Sequence, residues 1–325
     1  MADLGKTEVT QAIVRAEDAG QRLDNFLLRL CKGVPKSHVY RIIRRGEVRL
    51  NGGRASASDR VAEGDALRIP PVRLAAPEEV AAGEKLCAEI PIVFEDEAML
   101  AVDKPAGLAV HGGSGVSFGV IEALRAQRPE ARFLELAHRL DRETSGLLLV
   151  AKKRPALNAL HAMFREGGRA DKRYLLLARG RWLESERRVD LPLLKYTSNA
   201  DERRVRVSNE GKPSLTVFRL LARWQQASLL EAQLRTGRTH QIRVHCAHLG
   251  FPIAGDEKYG DFDFNRALAR EGLKRMFLHA WKMRFPHPAS GQTLTLEAPL
   301  PAALRGFLDK LPEKETETRD HGPAL

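Results

Sequence analysis

Between Phe133 and Ala151 the chain reads F-L-E-L-A, then H-R-L-D-R-E-T-S-G, then L-L-L-V-A. Short apolar runs bounded by turn formers predict buried strands, so two strands are expected here with a polar connection between them. His138, Arg139, Asp141, Arg142 and Glu143 crowd that connection. Charged side chains at the mouth of two strands can reach solvent and a substrate. Asp141 lies between Arg139 and Arg142, and nearby cations favour the ionised carboxylate. Taken alone, the same stretch also describes an ordinary ion-paired loop.

The rest of the chain sets the context. A length of 325 residues accommodates about two domains with cores of their own. Hydrophobic residues at 43% and charged residues at 29% suit a soluble globular protein. Lys and Arg (53) exceed Asp and Glu (42), leaving +11 and a sequence pI near 9.8. That balance favours a polyanionic partner, nucleic acid before membrane. No apolar run approaches the length of a membrane span, and the first residues lack an apolar signal core. Cys31, Cys87 and Cys246 lie far apart with no Cys-x-x-Cys pair. A disulfide framework and a structural zinc site are therefore not expected, and a cytoplasmic, reducing location is.

Leu23, Phe26, Leu27 and Leu30 recur at helical spacing. Gly33-Val34-Pro35 ends that helix, and Ser37 can cap a second one running to about Arg45. Glu47–Leu50 and Asp65–Pro70 are strand-like, and Asn51-Gly52 is a tight-turn signal. Lys36, Arg41, Arg44, Arg45, Arg49 and Arg54 face a lone Glu47, a one-signed surface suited to RNA phosphates. Residues 71–88 carry little periodicity and read as a linker.

A larger domain is expected over residues 89–311. Ile92–Glu97 and Met99–Val102 suggest two strands, the second broken by Asp103-Lys104-Pro105-Ala106-Gly107. Pro155–Phe164 reads as an amphipathic helix, and Tyr174–Ala178, Val217–Leu221 and Ala227–Leu234 as strands. Strands outnumber helices without regular alternation, so the fold class expected is α+β with a mixed, largely antiparallel sheet. Residues 312–325 form a polar tail expected to be disordered. The glycines of His111–Gly115 lack the spacings of a phosphate-binding loop.

Several longer motifs complete the picture. They are His138-Arg139-Leu140-Asp141-Arg142-x-Thr144-Ser145-Gly146, Lys172-Arg173-Tyr174, and Gly237-Arg238-Thr239-His240-Gln241-Ile242-Arg243, the last opening an expected helix. Gly255-Asp256-x-x-Tyr259-Gly260 lies in a turn-rich loop, and Leu278-His279-Ala280-Trp281 follows. Together these resemble the RluA-type family of pseudouridine synthases over nearly the whole chain. The N-terminal pattern Arg22-Leu23-Asp24, Pro35-Lys36-Ser37 and Ile43-x-x-Gly46-x-Val48-x-Leu50-Asn51-Gly52 resembles the αL RNA-binding module, placed at 1–70 with an ordered core near 20–70.

The resemblance implies isomerisation of uridine to pseudouridine in RNA, and within the family the chain resembles members acting on large-subunit (23S) ribosomal RNA. That reaction cuts a carbon–nitrogen glycosidic bond, turns the uracil and rejoins it through a ring carbon. Nothing is oxidised or hydrolysed overall, so no cofactor or metal is expected. By resemblance Asp141 is the nucleophile, Tyr174 stacks on the target base, and Arg243 pairs with Asp141. Attack on the ribose, attack on the base, and elimination from the ribose all remain open. Arg139 matches the family residue that fills the space left by a flipped base. Arg142 and Arg238 are further RNA-binding candidates. His240, His245 and His248 lie close in sequence, but the H-E-x-x-H pattern is absent, which favours packing or RNA contact over zinc. Two other functions compete: a non-catalytic RNA-binding assembly factor, and a synthase acting on transfer RNA. A monomer is the default expectation.

Overall fold

The computed structural model of the chain describes residues 9–31, 34, 36–72, 90–112, 118–166, 169–197 and 203–312, with Lys36, Ser37, Glu166 and Arg203 described by backbone alone. The chain divides into two compact units, Met1–Ala88 and Glu89–Leu325. Most of the expected linker and tail, part of the His111–Gly115 loop, and the Lys36 side chain lie outside the described residues.

In the first unit β1 (Thr10–Ile13) precedes α1 (Leu23–Leu30), α2 (Lys36–Arg44), β2 (Arg49–Leu50), β3 (Gly53–Arg54) and β4 (Ala66–Ile69). The four strands form a sheet in the order β1-β4-β2-β3. Asn51 and Gly52 both have positive φ (48° and 78°), the two-residue turn that suits a hairpin. Leu23, Phe26 and Leu27 of α1 and Val39, Ile42 and Ile43 of α2 pack with Val48, Leu67 and Ile69. Buried Asp24 ties the helices together, accepting from the Arg22 guanidinium (2.7 and 3.1 Å) and from the Tyr40 hydroxyl (3.0 Å). Strand β1 was not legible, since T-Q-A-I buries only Ala12 fully.

The second unit continues with β5 (Ile92–Glu95), β6 (Met99–Lys104), α3 (Val120–Gln127), β7 (Glu135–Leu136), β8 (Ser145–Ala151), α4 (Arg154–Glu166) and β9 (Asp171–Arg179). There follow β10 (Glu186–Asp190), β11 (Leu193–Thr197), β12 (Arg203–Val207), β13 (Leu215–Arg223), β14 (Ala227–Leu234) and α5 (Gln241–His248). The last elements are α6 (Phe262–Arg270), β15 (Leu278–Pro286), β16 (Thr293–Glu297) and α7 (Ala302–Leu308). Ten strands form one sheet along the path β10-β13-β14-β9-β15-β8-β6-β5, with β16 on β15 and β7 on β8, while β11 and β12 pair separately.

Every ladder in the large sheet is antiparallel except β15 on β8, which is parallel and registers His279 with Ser145 and Ala280 with Gly146. The fold is α+β with a mixed, largely antiparallel sheet. Strand β8 is buried along its whole length, which explains its unbroken apolar sequence. Leu148 and Val150 pack on one face with residues of α3 and α5, and Leu147, Leu149 and Ala151 on the other with residues of α4.

Strand β6 corrects one expectation: it runs through Asp103 to Lys104 instead of breaking before them. Lys104 is fully buried, and its ammonium donates to the carbonyls of Pro105 (2.7 Å), Leu108 (2.7 Å) and Arg142 (2.9 Å). A buried strand can end in a lysine because those three acceptors replace water.

Candidate active site

Asp141 stands in the connection between β7 and β8. The Thr144 N–H donates to the Asp141 carbonyl (3.1 Å), and the Arg142 carbonyl also accepts from the Gly107 N–H (2.9 Å). Lys104 supplies the other bond to Arg142. Burial pulls the Lys104 pKa down to about 7. Three carbonyls around one nitrogen nevertheless match the three donors of an ammonium, where a neutral amine has two. The charged form is the one this geometry holds, and it pins the Asp141 loop from beneath.

Arg243 reaches Asp141 from α5, its Nη1 donating to Oδ2 at 3.1 Å. Its Nε and Nη2 grip Asp256 at 2.7 Å each. Asp256 is 1% exposed and also accepts from the backbone N–H of Lys258 (2.8 Å) and Tyr259 (3.0 Å). A bidentate carboxylate fixes the plane of a guanidinium, so Asp256 aims the remaining nitrogen at Asp141. Burial alone would lower the Arg243 pKa, but the two carboxylates outweigh it and raise it above its ordinary value. Burial likewise opposes the Asp256 charge, and Arg243 with the backbone donors brings its pKa below the usual carboxylate range.

Tyr174 is buried on β9 and faces the same pocket as Asp141. Its registered neighbours are Ala232 on β14 and Ala280 on β15, two methyl groups that leave room over the ring. Burial, and after it the Asp141 charge, raise the Tyr174 pKa above that of an ordinary phenol. Tyr174 is therefore held as a phenol beside Asp141.

His240 closes the other side. It adopts a left-handed backbone (φ 54°) just before α5, which starts at Gln241, later than the motif's first residues suggested. Its Nε2 lies 3.7 Å from Asp141 Oδ1, and its Nδ1 lies 2.8 Å from the Tyr259 hydroxyl. That hydroxyl accepts from the Val205 N–H (3.0 Å), so its own proton is free to point at Nδ1. The remaining imidazole proton then sits on Nε2, toward Asp141. Burial lowers the His240 pKa, with Asp141 partly offsetting it. Gln241, 2% exposed, accepts from Thr236 Oγ1 (2.8 Å) and the Arg238 N–H (3.0 Å), and its amide donates to the Leu215 carbonyl (3.0 Å). It thereby ties the 236–238 turn to β13.

Asp141, Tyr174, His240, Gln241 and Arg243 line a pocket of about 450 Å³, within the size range of small-molecule sites. Arg139 and Arg238 line it and are exposed, with Arg238 Nε donating to the Pro213 carbonyl (3.1 Å). Arg142 is not among its lining residues and instead pairs with Glu143 (2.8 Å). The partner of Asp141 is thus Arg243 on α5, the residue the resemblance pointed to, a hundred and two residues away and not a neighbour in the loop.

His245 is fully buried, bonded to Thr216 Oγ1 (3.0 Å), Ser214 Oγ (3.0 Å) and the Leu191 carbonyl (3.1 Å). Both of its ring nitrogens are therefore engaged in packing. Asp256, Tyr259 and His240 carried no assigned catalytic part in the sequence. The available signal was an acid in the Gly255-Asp256 turn that, if buried, would need a cation.

In the N-terminal unit Arg41, Arg44 and Arg45 are exposed. Arg49 registers with Arg54 on β3 and Arg68 on β4, placing three arginines on one rung. Like charges directly opposite destabilise a sheet unless something anionic covers them.

Residues 98–248 match the RNA pseudouridylate synthase family, and residues 21–67 match the S4 domain. The chain is 53% identical over 308 residues to ribosomal large subunit pseudouridine synthase C of Yersinia pestis, covering 93% of this chain and 96% of that protein. The protein of the same name from Escherichia coli is 53% identical over 305 residues, covering 92% and 95%. Among solved structures, human RNA pseudouridylate synthase domain containing 1 superposes with a TM-score of 0.58 at 27% identity, covering 68% of this chain and 88% of that one. Human RNA pseudouridylate synthase domain containing 4, at 24% identity and a TM-score of 0.59, shares the fold, covering 73% and 98%. A site of this geometry within a chain of such similarity has one assignment: the protein belongs to the RNA pseudouridylate synthase family and carries an S4 domain ahead of its catalytic domain.

Proposed function

We propose that the protein converts uridines of large-subunit ribosomal RNA to pseudouridine, with Asp141 as the nucleophile. The observation that carries this is the Asp141 carboxylate, held at 3.1 Å by Arg243 and facing the same pocket as buried Tyr174. The relatives named above as ribosomal large subunit synthases support the choice of RNA. The basic rung of the S4 domain supports a large structured RNA over a small hairpin, because each neutralised phosphate adds affinity.

The chemistry divides among the residues as follows. Asp141 supplies the electron pair that frees uracil from its ribose. Arg243 keeps one carboxylate oxygen occupied, leaving Oδ1 on the His240 side as the reacting atom. Tyr174 gives the freed uracil a surface on which to turn, worth about 1–3 kcal/mol as a stack. Rejoining through the ring carbon releases that carbon's proton and leaves one on the nitrogen, so the atoms balance. The Tyr174 hydroxyl can take part in the proton transfer once the Asp141 charge has been consumed. Exposed Arg139 at the pocket mouth fills the stack that the flipped nucleotide leaves.

The test is Asp141→Asn in the full chain, assayed for pseudouridine in ribosomal RNA. RNA affinity is expected to stay within about threefold, since a buried-site carboxylate contributes little to backbone binding, and isomerisation is expected to vanish. Single-turnover activity near the wild-type rate would exclude Asp141 as the nucleophile.

A further inference from the structure

Lys172 lies two residues before Tyr174 on β9, so both side chains leave the same side of the strand, and both line the pocket. The adjacent cation, Arg173, points to the other face and is saturated by Asp171 (2.9 Å) and Glu231 (3.1 Å). Lys172 has no such partner: among the described residues its ammonium has no hydrogen-bonded or carboxylate partner, and it lies 5.4 Å from the centroid of the Phe164 ring. Its registered neighbours, Leu234 and Met283, are apolar. Gly237 borders the ammonium so closely that an added Cβ would lie 3.4 Å from Nζ. The nearby His138 is neutral, its pKa lowered to about 3 by burial and then by Lys172 itself. A half-buried cation without a counter-ion, lying against apolar neighbours, is a place where a ligand can bring the negative charge.

We propose that Lys172 is a phosphate subsite, binding a phosphodiester of the nucleotide whose base lies on Tyr174. Two residues of strand advance about 6.8 Å, comparable to the span of one ribose–phosphate unit. The exposed arginines Arg165 and Arg235 also line the pocket and guide the RNA backbone toward the half-buried ammonium. The subsite rests on the proposed stacking of uracil on Tyr174, and it adds a second point of attachment. Base and phosphate gripped on one strand leave the glycosidic bond suspended between them, opposite Asp141.

The plain alternative is that Lys172 merely covers Phe164. Lys172→Met keeps the length and the apolar contact and removes only the charge. With ribosomal RNA as substrate, KM is expected to rise tenfold or more, and kcat to change less than KM. The plot of log affinity against log salt is expected to flatten by about 0.7–0.9, the share of one phosphate. Lys172→Arg is expected to restore most of both. Wild-type KM and salt slope in Lys172→Met would overturn the subsite, as would equal losses in both variants accompanied by a lowered Tm. A measurement on the unaltered protein covers the case of a variant that does not fold. Uridine 5′-monophosphate is expected to compete with RNA at least tenfold better than uridine, and equal competition would overturn the proposal. Absence of any pseudouridine formation by the wild type would instead overturn the proposed function, so the two failures are distinguishable.

Discussion

Replacing Asp256 with Asn tests whether a residue that never touches the reacting atoms sets the geometry of those that do. Asp256 receives four hydrogen bonds, two from Arg243 at 2.7 Å and two from backbone N–H groups. An amide of the same shape has one acceptor oxygen, and since both oxygens of Asp256 accept from Arg243, its NH2 faces a guanidinium N–H in either orientation. Breaking a buried ion pair from one side costs about 3–5 kcal/mol, and Asn, which still accepts once, belongs at the lower end. At about 2–4 °C per kcal/mol for a domain of this size, Tm is expected to fall by about 6–12 °C. Arg243, released from its plane, no longer holds Asp141 in one orientation, and a misplacement of about 1 Å can cost about a hundredfold in rate. Thermal unfolding and single-turnover pseudouridine formation read the two effects separately. The double variant Asp256→Leu with Arg243→Met is expected to regain stability and stay inactive, since an apolar replacement removes the buried charges together. A Tm within about 1 °C of wild type and kcat/KM within about threefold in Asp256→Asn would refute the reasoning, because that is the scale of a surface substitution.

Burial lowers the pKa of His279 to about 4, the bond to the Ala298 carbonyl only partly offsetting it. An ordinary histidine titrates near 6.5, so the unfolded chain takes up the proton first. The stability is complete above about pH 6.5 and is lost as pH falls toward 4, about 2 kcal/mol of it by pH 5. Urea unfolding at stepped pH checks this, and His279→Gln is expected to remove about one proton from the dependence. Gly146 has φ +108°, and an added Cβ would lie 2.2 Å from the Ala280 carbonyl oxygen. Gly146→Ala is therefore expected to cost about 2–6 kcal/mol by strain and overpacking together, and a soluble variant with wild-type Tm would show that β8 and β15 can separate freely. Arg44→Glu with Arg45→Glu is expected to weaken ribosomal RNA binding and flatten its salt dependence by up to about 0.9 per lost phosphate contact, with an unchanged slope assigning RNA binding elsewhere.

What could be read in the sequence follows the range of the interactions concerned. The strands β8 and β14 and the helices α1 and α4 were legible because local periodicity and composition specify them. The Asn51-Gly52 hairpin was legible because a positive φ at two successive residues has few chemical solutions. Strand β1 was not legible, because its partner β4 lies more than fifty residues away and supplies what four ordinary residues lack. The end of β6 was misjudged for a related reason. A lysine beside a proline looks like a strand breaker until three carbonyls converge on it, and one of them belongs to Arg142. At the site, the motifs drew attention to Asp141, Tyr174 and Arg243. Asp256 and Tyr259 were quoted within a motif, yet their contacts with Arg243 and His240 depend on how the 250–260 loop folds back against α5.

The single parallel ladder bears on when the protein first becomes competent. Asp141 precedes β8, Tyr174 stands on β9 beyond β15, and Arg243 comes from α5, which follows β14 in the chain. Only two registered pairs join those strands, reinforced by the Ser145–His279 bond across 134 residues of chain (2.9 Å). Closure over such a separation is slow compared with the hairpins on either side. On the proposed role of Asp141, competence therefore waits on chain-distant contacts, since the carboxylate gains its arginine only when residues a hundred and two positions further on have folded against it.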